Sequence, residues 1–188
     1  MGAENTSADA RSHTVVLVCH CLLNQNAKVE PLAGYPGLFT PLVRLLVDED
    51  VGIVQLPCPE VTHLGVRRPL GTDTREQYDT PAYRKVCESI ADQVATLIGT
   101  YERDGYRVAC VLGVAGSPSC SVDRVPVLDR LGTRAAVPGS GLFIEALRAA
   151  MGKHDVSVPV IGVPETAEAG DVNATLARVR SALGRKTG

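Results

Sequence analysis

An apolar run at residues 108–113, Val-Ala-Cys-Val-Leu-Gly, constrains the fold of this chain more than any other stretch. It contains no charged or polar side chain, and it ends where Gly113, Gly116 and Pro118 break the extended pattern. Such a continuous run is typical of a strand that is buried on both faces. A strand is buried in this way when helices cover both sides of a parallel sheet. The run therefore predicts an α/β fold.

Further strands and helices alternate along the chain. Apolar runs predict strands at residues 14–18, 51–56 and 158–163, in addition to 108–113. Apolar residues at helical spacing predict helices that begin near Thr40, Thr80, Gly141 and Asp171. This order predicts one doubly wound, mainly parallel, Rossmann-like sheet with helices on both faces. We expect residues 1–12 to form a flexible tail and residues 13–188 to form a single domain.

Two segments lack any clear periodicity, at residues 61–79 and 121–134. Both are rich in charged residues, and each is predicted to be irregular. A loop as long as 61–79 inside a compact domain is usually functional or disordered. Because it directly follows Cys58 and Glu60, we interpret it as a lid or a substrate-binding loop.

Composition and charge exclude several classes of function. The 188 residues carry a formal net charge of −2, so no basic excess points to bulk nucleic-acid binding. The apolar run at 14–18 is far too short to span a bilayer, and no secretory segment precedes it, so no membrane association is expected. The six cysteines then favour a reduced, cytoplasmic setting. In that setting, clustered cysteines indicate metal binding or catalysis before disulfides.

Three cysteines each follow a predicted strand. Cys21 follows the first strand, Cys58 the second and Cys120 the third. Open α/β sheets bind their ligands beyond the carboxyl ends of the strands, and the carboxyl ends of parallel strands lie at one edge of the sheet. We therefore expect the three thiols to meet there, in a metal or cluster site.

The segments around these cysteines resemble a known family. Cys-Leu-Leu at 21–23, Cys-Pro-Glu-Val at 58–61 and Ser-Pro-Ser-Cys at 117–120 are similar to the three signature blocks of the DUF523 family of TudS-like thiouracil desulfidases. The resemblance implies a [4Fe-4S] cluster held by Cys21, Cys58 and Cys120, with one iron left to bind a thiocarbonyl sulfur. It also implies that Glu60 and Ser117 take part in catalysis.

The implied reaction replaces the sulfur of a thiouracil- or thiouridine-like small molecule with oxygen from water and releases hydrogen sulfide without redox change. Thiolates suit iron–sulfur clusters, and a metal ion polarises the group it binds. Glu60 would then act as a base and Ser117 as a hydrogen-bond donor. The implied partners are the thiolated substrate and the iron–sulfur assembly machinery. Residues beside the three blocks are predicted to contact substrate, with turn formation or solvent exposure as the alternative for each: Asn24, Asn26, Arg67 and Ser119.

Other interpretations remain open from the residues alone. The thiols are also compatible with a cysteine nucleophile or a zinc–thiolate enzyme, although the closely spaced cysteine pairs of structural zinc sites are absent from the sequence. A non-enzymatic domain that binds a nucleotide or metabolite is a further alternative. Cys87 and Cys110 fit core positions. Cys19 fits the core as well, but it is close enough to Cys21 to be a spare ligand.

Overall fold

The computed structural model describes residues 9–184, so the first eight residues of the predicted tail lie outside the described part. Within that part the strands are β1 Thr14–Val18, β2 Gly52–Gln55, β3 Arg107–Val114, β4 Arg124–Leu128, β5 Arg134–Pro138 and β6 Val160–Val163. The helices are α1 His20–Leu23, α2 Thr40–Asp48, α3 Pro59–Leu64, α4 Arg75–Tyr78, α5 Pro81–Arg103, α6 Leu142–Lys153 and α7 Val172–Gly184. A 3₁₀ turn follows α1 at Gln25–Ala27.

Four strands form a parallel sheet in the order β2-β1-β3-β6. Every residue of β3 after Arg107 is buried, as the apolar run predicts. The predicted α/β fold with a mainly parallel sheet is confirmed. β2 lies on one side of β1, and β3 and β6 lie on the other side. The direction in which strands are added therefore reverses between β1 and β3. A crevice for a ligand is expected at such a point, beyond the carboxyl ends of these two strands.

Helices cover both faces of this sheet. Because crossovers between parallel strands are right-handed, connections that run in opposite directions lie on opposite faces. The connection from β1 to β2 contains α2, and the connection from β2 to β3 contains α5, so these helices lie on opposite faces. The other two long helices complete the layers, since α6 packs on α5 and α7 contacts α2. No helix of residues 9–184 combines the length and the apolar character needed to cross a membrane.

Local capping explains where two of the long helices begin. The Thr80 hydroxyl accepts a hydrogen bond from the Tyr83 amide at 3.2 Å, and Pro81 occupies the first helical position of α5. The Asp171 carboxylate accepts from the Ala174 amide at 3.0 Å at the start of α7. Both are ordinary N-terminal caps that leave fewer amides without partners. The predicted starts of these two helices are therefore confirmed.

The two segments predicted to be irregular contain regular elements, and these predictions are wrong. Segment 61–79 includes most of α3 and all of α4, which are too short to show a helical period. Segment 121–134 includes β4, which pairs antiparallel with β5. Pro126 and Pro138 lie in these strands and weaken the strand pattern in the sequence. The Asp129 carboxylate organises their turn, because it accepts from the amides of Leu131 and Thr133 at 2.8 Å.

The start of α6 packs directly on the turn that carries Cys120. The Phe143 amide donates to the Ser119 carbonyl at 3.0 Å, and the Gly141 amide donates to the Ser121 carbonyl at 2.9 Å. A Cβ atom at Gly141 would lie 2.4 Å from the Ser119 carbonyl oxygen and 2.8 Å from the Cys120 nitrogen. Only glycine therefore allows this close approach of the two backbones.

We expect Gly141→Ala to lower the free energy of unfolding by about 1–3 kcal/mol, because neither backbone can move without breaking hydrogen bonds. Gly152→Ala in the same helix is the matched control, since no atom lies within 4 Å of its added Cβ. The control should be neutral or more stable by up to about 1 kcal/mol. Urea denaturation of both variants measures the difference. Equal stability of the two variants would contradict this account of the packing.

Candidate functional site

A cleft of about 770 Å³ lies beyond the carboxyl ends of the parallel strands. Each strand of the sheet is followed by a residue that lines it: Cys21 after β1, Cys58 after β2, Ser117 after β3 and Glu165 after β6. Arg124 and Arg134 of the β4–β5 hairpin line one side of the cleft. The cleft is therefore at the position where α/β sheets of this topology bind ligands.

All three predicted ligand cysteines are free thiols; Cys21 and Cys58 line the cleft, and Cys120 is buried near them. Cys21 is on α1, Cys58 is the N-terminal cap of α3, and Cys120 is buried in the turn after β3. The Cys58 sulfur accepts a hydrogen bond from the Val61 amide at 3.5 Å. The chain thus brings together thiols that are far apart in sequence.

These thiols influence one another electrostatically. Burial, followed by the charge of Cys120, raises the pKa of Cys58 to about 12. Burial, followed by the charges of Cys120, Glu165 and Cys58, raises the pKa of Cys21 well above its ordinary value. The contact with Cys19, followed by burial, raises the pKa of Cys120 in the same direction. Deprotonation of all three thiols therefore needs compensating positive charge.

The arrangement of these side chains does not place three ligands around a single metal ion. Among residues 9–184, no group of three His, Cys, Asp or Glu side chains could hold one metal ion. In an iron–sulfur cluster, by contrast, the cysteine thiolates bind different iron atoms, so their sulfurs stand farther apart.

Glu60 forms a buried ion pair at the cleft. Its Oε2 accepts from Nε and Nη2 of Arg68 at 3.0 and 2.8 Å, and its Oε1 accepts from the Ser119 hydroxyl at 2.7 Å. The Ser119 and Tyr83 hydroxyls are 2.6 Å apart. Glu60 and Arg68 both line the cleft, whereas Ser119 is fully buried behind them. Ser119 and Arg68 therefore fix the Glu60 carboxylate.

The Ser117 hydroxyl fixes the turn that carries Cys120. Its oxygen accepts from the Ser119 and Cys120 amides at 3.2 and 3.0 Å. Because both of these bonds use its lone pairs, the hydroxyl hydrogen remains to be donated. Ser117 lines the cleft, so this donor can reach a bound molecule.

None of the four residues predicted to contact substrate, Asn24, Asn26, Arg67 and Ser119, lines the cleft, and Ser119 is fully buried behind Glu60. The Asn24 side chain accepts from the Asn26 amide at 3.2 Å and caps the 3₁₀ turn, which occupies both asparagines in local structure. Arg67 is exposed on the loop after α3. Its neighbour Arg68 points inward instead, and the sequence alone did not distinguish the two.

Sequence reasoning also missed Glu165 and Lys28. The Glu165 carboxylate accepts from Gln25 Nε2 at 2.9 Å and makes short contacts with Lys28 Nζ and Tyr35 Oη. The sequence contained one signal for Glu165, because Pro164-Glu165 comes after β6 in the same way that Pro59-Glu60 comes after β2. Lys28 offered no such signal.

Comparisons with known proteins agree with this architecture. No protein-family model matches the chain. The uncharacterized protein MJ0003 of Methanocaldococcus jannaschii is 34% identical over 108 residues, which are 57% of this chain and 67% of that protein. This chain belongs to the family of MJ0003. Among solved structures, the [4Fe-4S]-dependent thiouracil desulfidase TudS is similar with a TM-score of 0.50 and 19% identity, over 79% of this chain and 90% of that chain. The likeness to TudS shows a shared fold.

We expect Arg68→Met to lower the free energy of unfolding by about 3–5 kcal/mol, because the Glu60 carboxylate would remain buried without a counterion. Arg67→Met is the control, and this exposed neighbour should change stability by less than about 0.5 kcal/mol. The double variant Glu60→Gln/Arg68→Met should regain most of the loss, since no unpaired charge remains. Urea denaturation measures all three variants. A double variant no more stable than Arg68→Met would refute the buried pair as the cause.

Proposed function

We propose that this protein is a [4Fe-4S]-dependent desulfidase that replaces the sulfur of a thiolated small molecule with oxygen from water. Support comes from three free thiols that follow three adjacent parallel strands, lie close enough to raise one another's pKa values and accompany the buried carboxylate of Glu60. The fold shared with a [4Fe-4S]-dependent thiouracil desulfidase supports it.

The residues around the cleft fit a cluster. Cys21, Cys58 and Cys120 are soft sulfur donors, and their mutual repulsion as thiolates would be relieved by iron. When bound by these three thiolates, a [4Fe-4S] cluster would supply an iron without a protein ligand, able to polarise the thiocarbonyl group. A cysteine nucleophile is less well supported, because reactive cysteines have a lowered pKa whereas burial raises the pKa of these thiols.

Glu60 is the proposed general base. The two Arg68 nitrogens and the Ser119 hydroxyl hold its carboxylate in one orientation at the cleft. Oε2 uses both of its acceptor sites for Arg68, whereas Oε1 accepts only from Ser119 and keeps one site, so Glu60 can still accept a proton from water through Oε1. The activated water attacks the thiocarbonyl carbon.

Ser117 is the proposed donor to the substrate. Its hydroxyl oxygen is fixed by two backbone amides, so the direction of its hydrogen is restricted to the remaining tetrahedral position. This preorganisation allows a hydrogen bond to the reacting group without rearrangement.

The reaction balances as a hydrolysis. A carbon–sulfur double bond and one water molecule yield a carbon–oxygen double bond and hydrogen sulfide, so no electron donor is consumed. The proposal implies delivery of iron and sulfide by the iron–sulfur assembly machinery. It also implies a reducing compartment such as the cytoplasm, which agrees with six free cysteines in the described residues.

We expect anaerobically purified protein to be brown and to contain iron and acid-labile sulfide in equal amounts. Cys21→Ser, Cys58→Ser and Cys120→Ser should each lose most of the iron, because two thiolates do not hold the cluster firmly. Cys110→Ser is the control, since this buried thiol lies within β3 and away from the cleft. Iron analysis and the visible spectrum report the result. Iron retained by all three serine variants would exclude the ligand set.

We expect Glu60→Gln to lower the rate of sulfide release from 2-thiouracil about 100-fold or more, because glutamine cannot accept the proton from water. The brown colour and the iron content should stay unchanged, since Glu60 is not a proposed ligand. Sulfide and uracil are both quantified after incubation without oxygen. Unchanged turnover in Glu60→Gln would remove this residue from the mechanism.

A further inference from the structure

Lys28 is one of the cationic side chains that line the cleft. It lines the cleft on the segment after the 3₁₀ turn, and its ammonium contacts the carboxylate of Glu165. The side chain of Lys28 is 21% exposed, whereas that of Glu165 is only 6% exposed. A molecule that enters the cleft therefore meets the ammonium before it meets the carboxylate.

Glu165 is held by donors on both of its carboxylate oxygens. Gln25 Nε2 donates to it at 2.9 Å and to the Cys21 carbonyl at 3.1 Å, while the Gln25 Oε1 accepts from the Gly34 amide at 3.0 Å. Tyr35 Oη donates to the same carboxylate oxygen as Gln25. This network ties the position of Glu165 to the segment that carries Cys21.

An ammonium group has three donors, and Glu165 uses only one side of it. The remaining donors of the Lys28 ammonium are available to a molecule in the cleft, which Cys21 and Cys58 also line.

Most of the surrounding cleft is apolar and suits a flat ring with few polar groups. Its apolar lining on this side consists of Ala27, Val29, Leu32, Pro164 and Ala169. Lys28 and Arg178 are both cations of the cleft lining, and Lys28 is the one on the chain segment that follows Cys21, so a single oxygen on the ring is enough to pair with it.

We infer that Lys28 is a substrate-binding residue whose ammonium, positioned by Glu165, donates to a carbonyl oxygen of the thiolated substrate. The inference rests on the proposed function for the thiocarbonyl group that faces the cysteines. The substrate class stays that of the proposed function, a heterocycle with an oxo group besides the thioxo group, and Lys28 is the residue that recognises the oxo group. Rings with a thioxo group alone lack the acceptor and bind less tightly.

A pair of ligands tests this without relying on turnover. 2-Thiouracil carries the C4 carbonyl beside an N3–H, and pyrimidine-2-thione is the corresponding ring without the carbonyl and without that N–H, so the Lys28 variant is needed to assign the difference to the carbonyl. Anaerobic calorimetry of the brown holoprotein should give a dissociation constant for 2-thiouracil that is about tenfold or more below that for pyrimidine-2-thione. This difference is expected for a hydrogen bond to a charged group. Lys28→Met should abolish this ratio by weakening only the binding of 2-thiouracil.

Two further variants serve as controls. Lys153→Met removes an exposed lysine outside the cleft and should keep the ratio. Because Lys28→Met leaves Glu165 without its counterion, Lys28→Met/Glu165→Gln provides a neutral version of the pair if the single variant does not fold. It should also bind the two compounds equally.

The outcomes for binding and turnover are separate. Wild-type protein that fails to prefer 2-thiouracil, or a Lys28 variant that keeps the preference, overturns the assignment of Lys28. A clear, Lys28-dependent preference without sulfide release supports the assignment and overturns the desulfidase activity instead.

Discussion

Parallel pairing of β1 with both β2 and β3 determines where the polar groups of this protein meet. Val18, the last residue of β1, pairs with Gln55 on one side and Leu112 on the other, so the three strands end at nearly the same level. Each chain segment that leaves this edge turns sharply, and proline follows closely in two of them. Thiols that lie 37 and 62 residues apart in sequence, from Cys21 to Cys58 and from Cys58 to Cys120, therefore lie near one another at this edge of the sheet.

Two buried carboxylates frame that cleft, and each depends on its cation. Glu60 is paired with Arg68, and Glu165 is paired with Lys28. Removing water from a charge is costly unless hydrogen bonds and an opposite charge replace it. Neutral donors complete this compensation. The Ser119 hydroxyl donates to Glu60, and Gln25 and Tyr35 donate to Glu165. The same contacts that stabilise the charges also restrict their orientation, which is what catalysis and recognition need.

The turn at residues 117–120 links the fold to the proposed chemistry. Ser117 fixes the amides of this turn, Ser119 fixes Glu60, and Cys120 joins the other thiols. This turn also contacts Gly141 closely, so the position of α6 affects the position of the turn. A change in packing at the start of α6 is therefore expected to disturb both stability and the thiol cluster.

The sequence by itself determined the α/β fold and where the four parallel strands end at their carboxyl side, because continuous apolar runs and the breaks that follow them depend on neighbouring residues. It also indicated that Cys21, Cys58 and Cys120 follow consecutive parallel strands. Only the tertiary structure decided that Arg68 rather than Arg67 turns inward, that Ser119 lies behind Glu60, and that the hairpin of β4 and β5 forms one side of the cleft. Those outcomes depend on which distant charges and hydroxyls are buried together, and no local pattern records the partner of a buried charge.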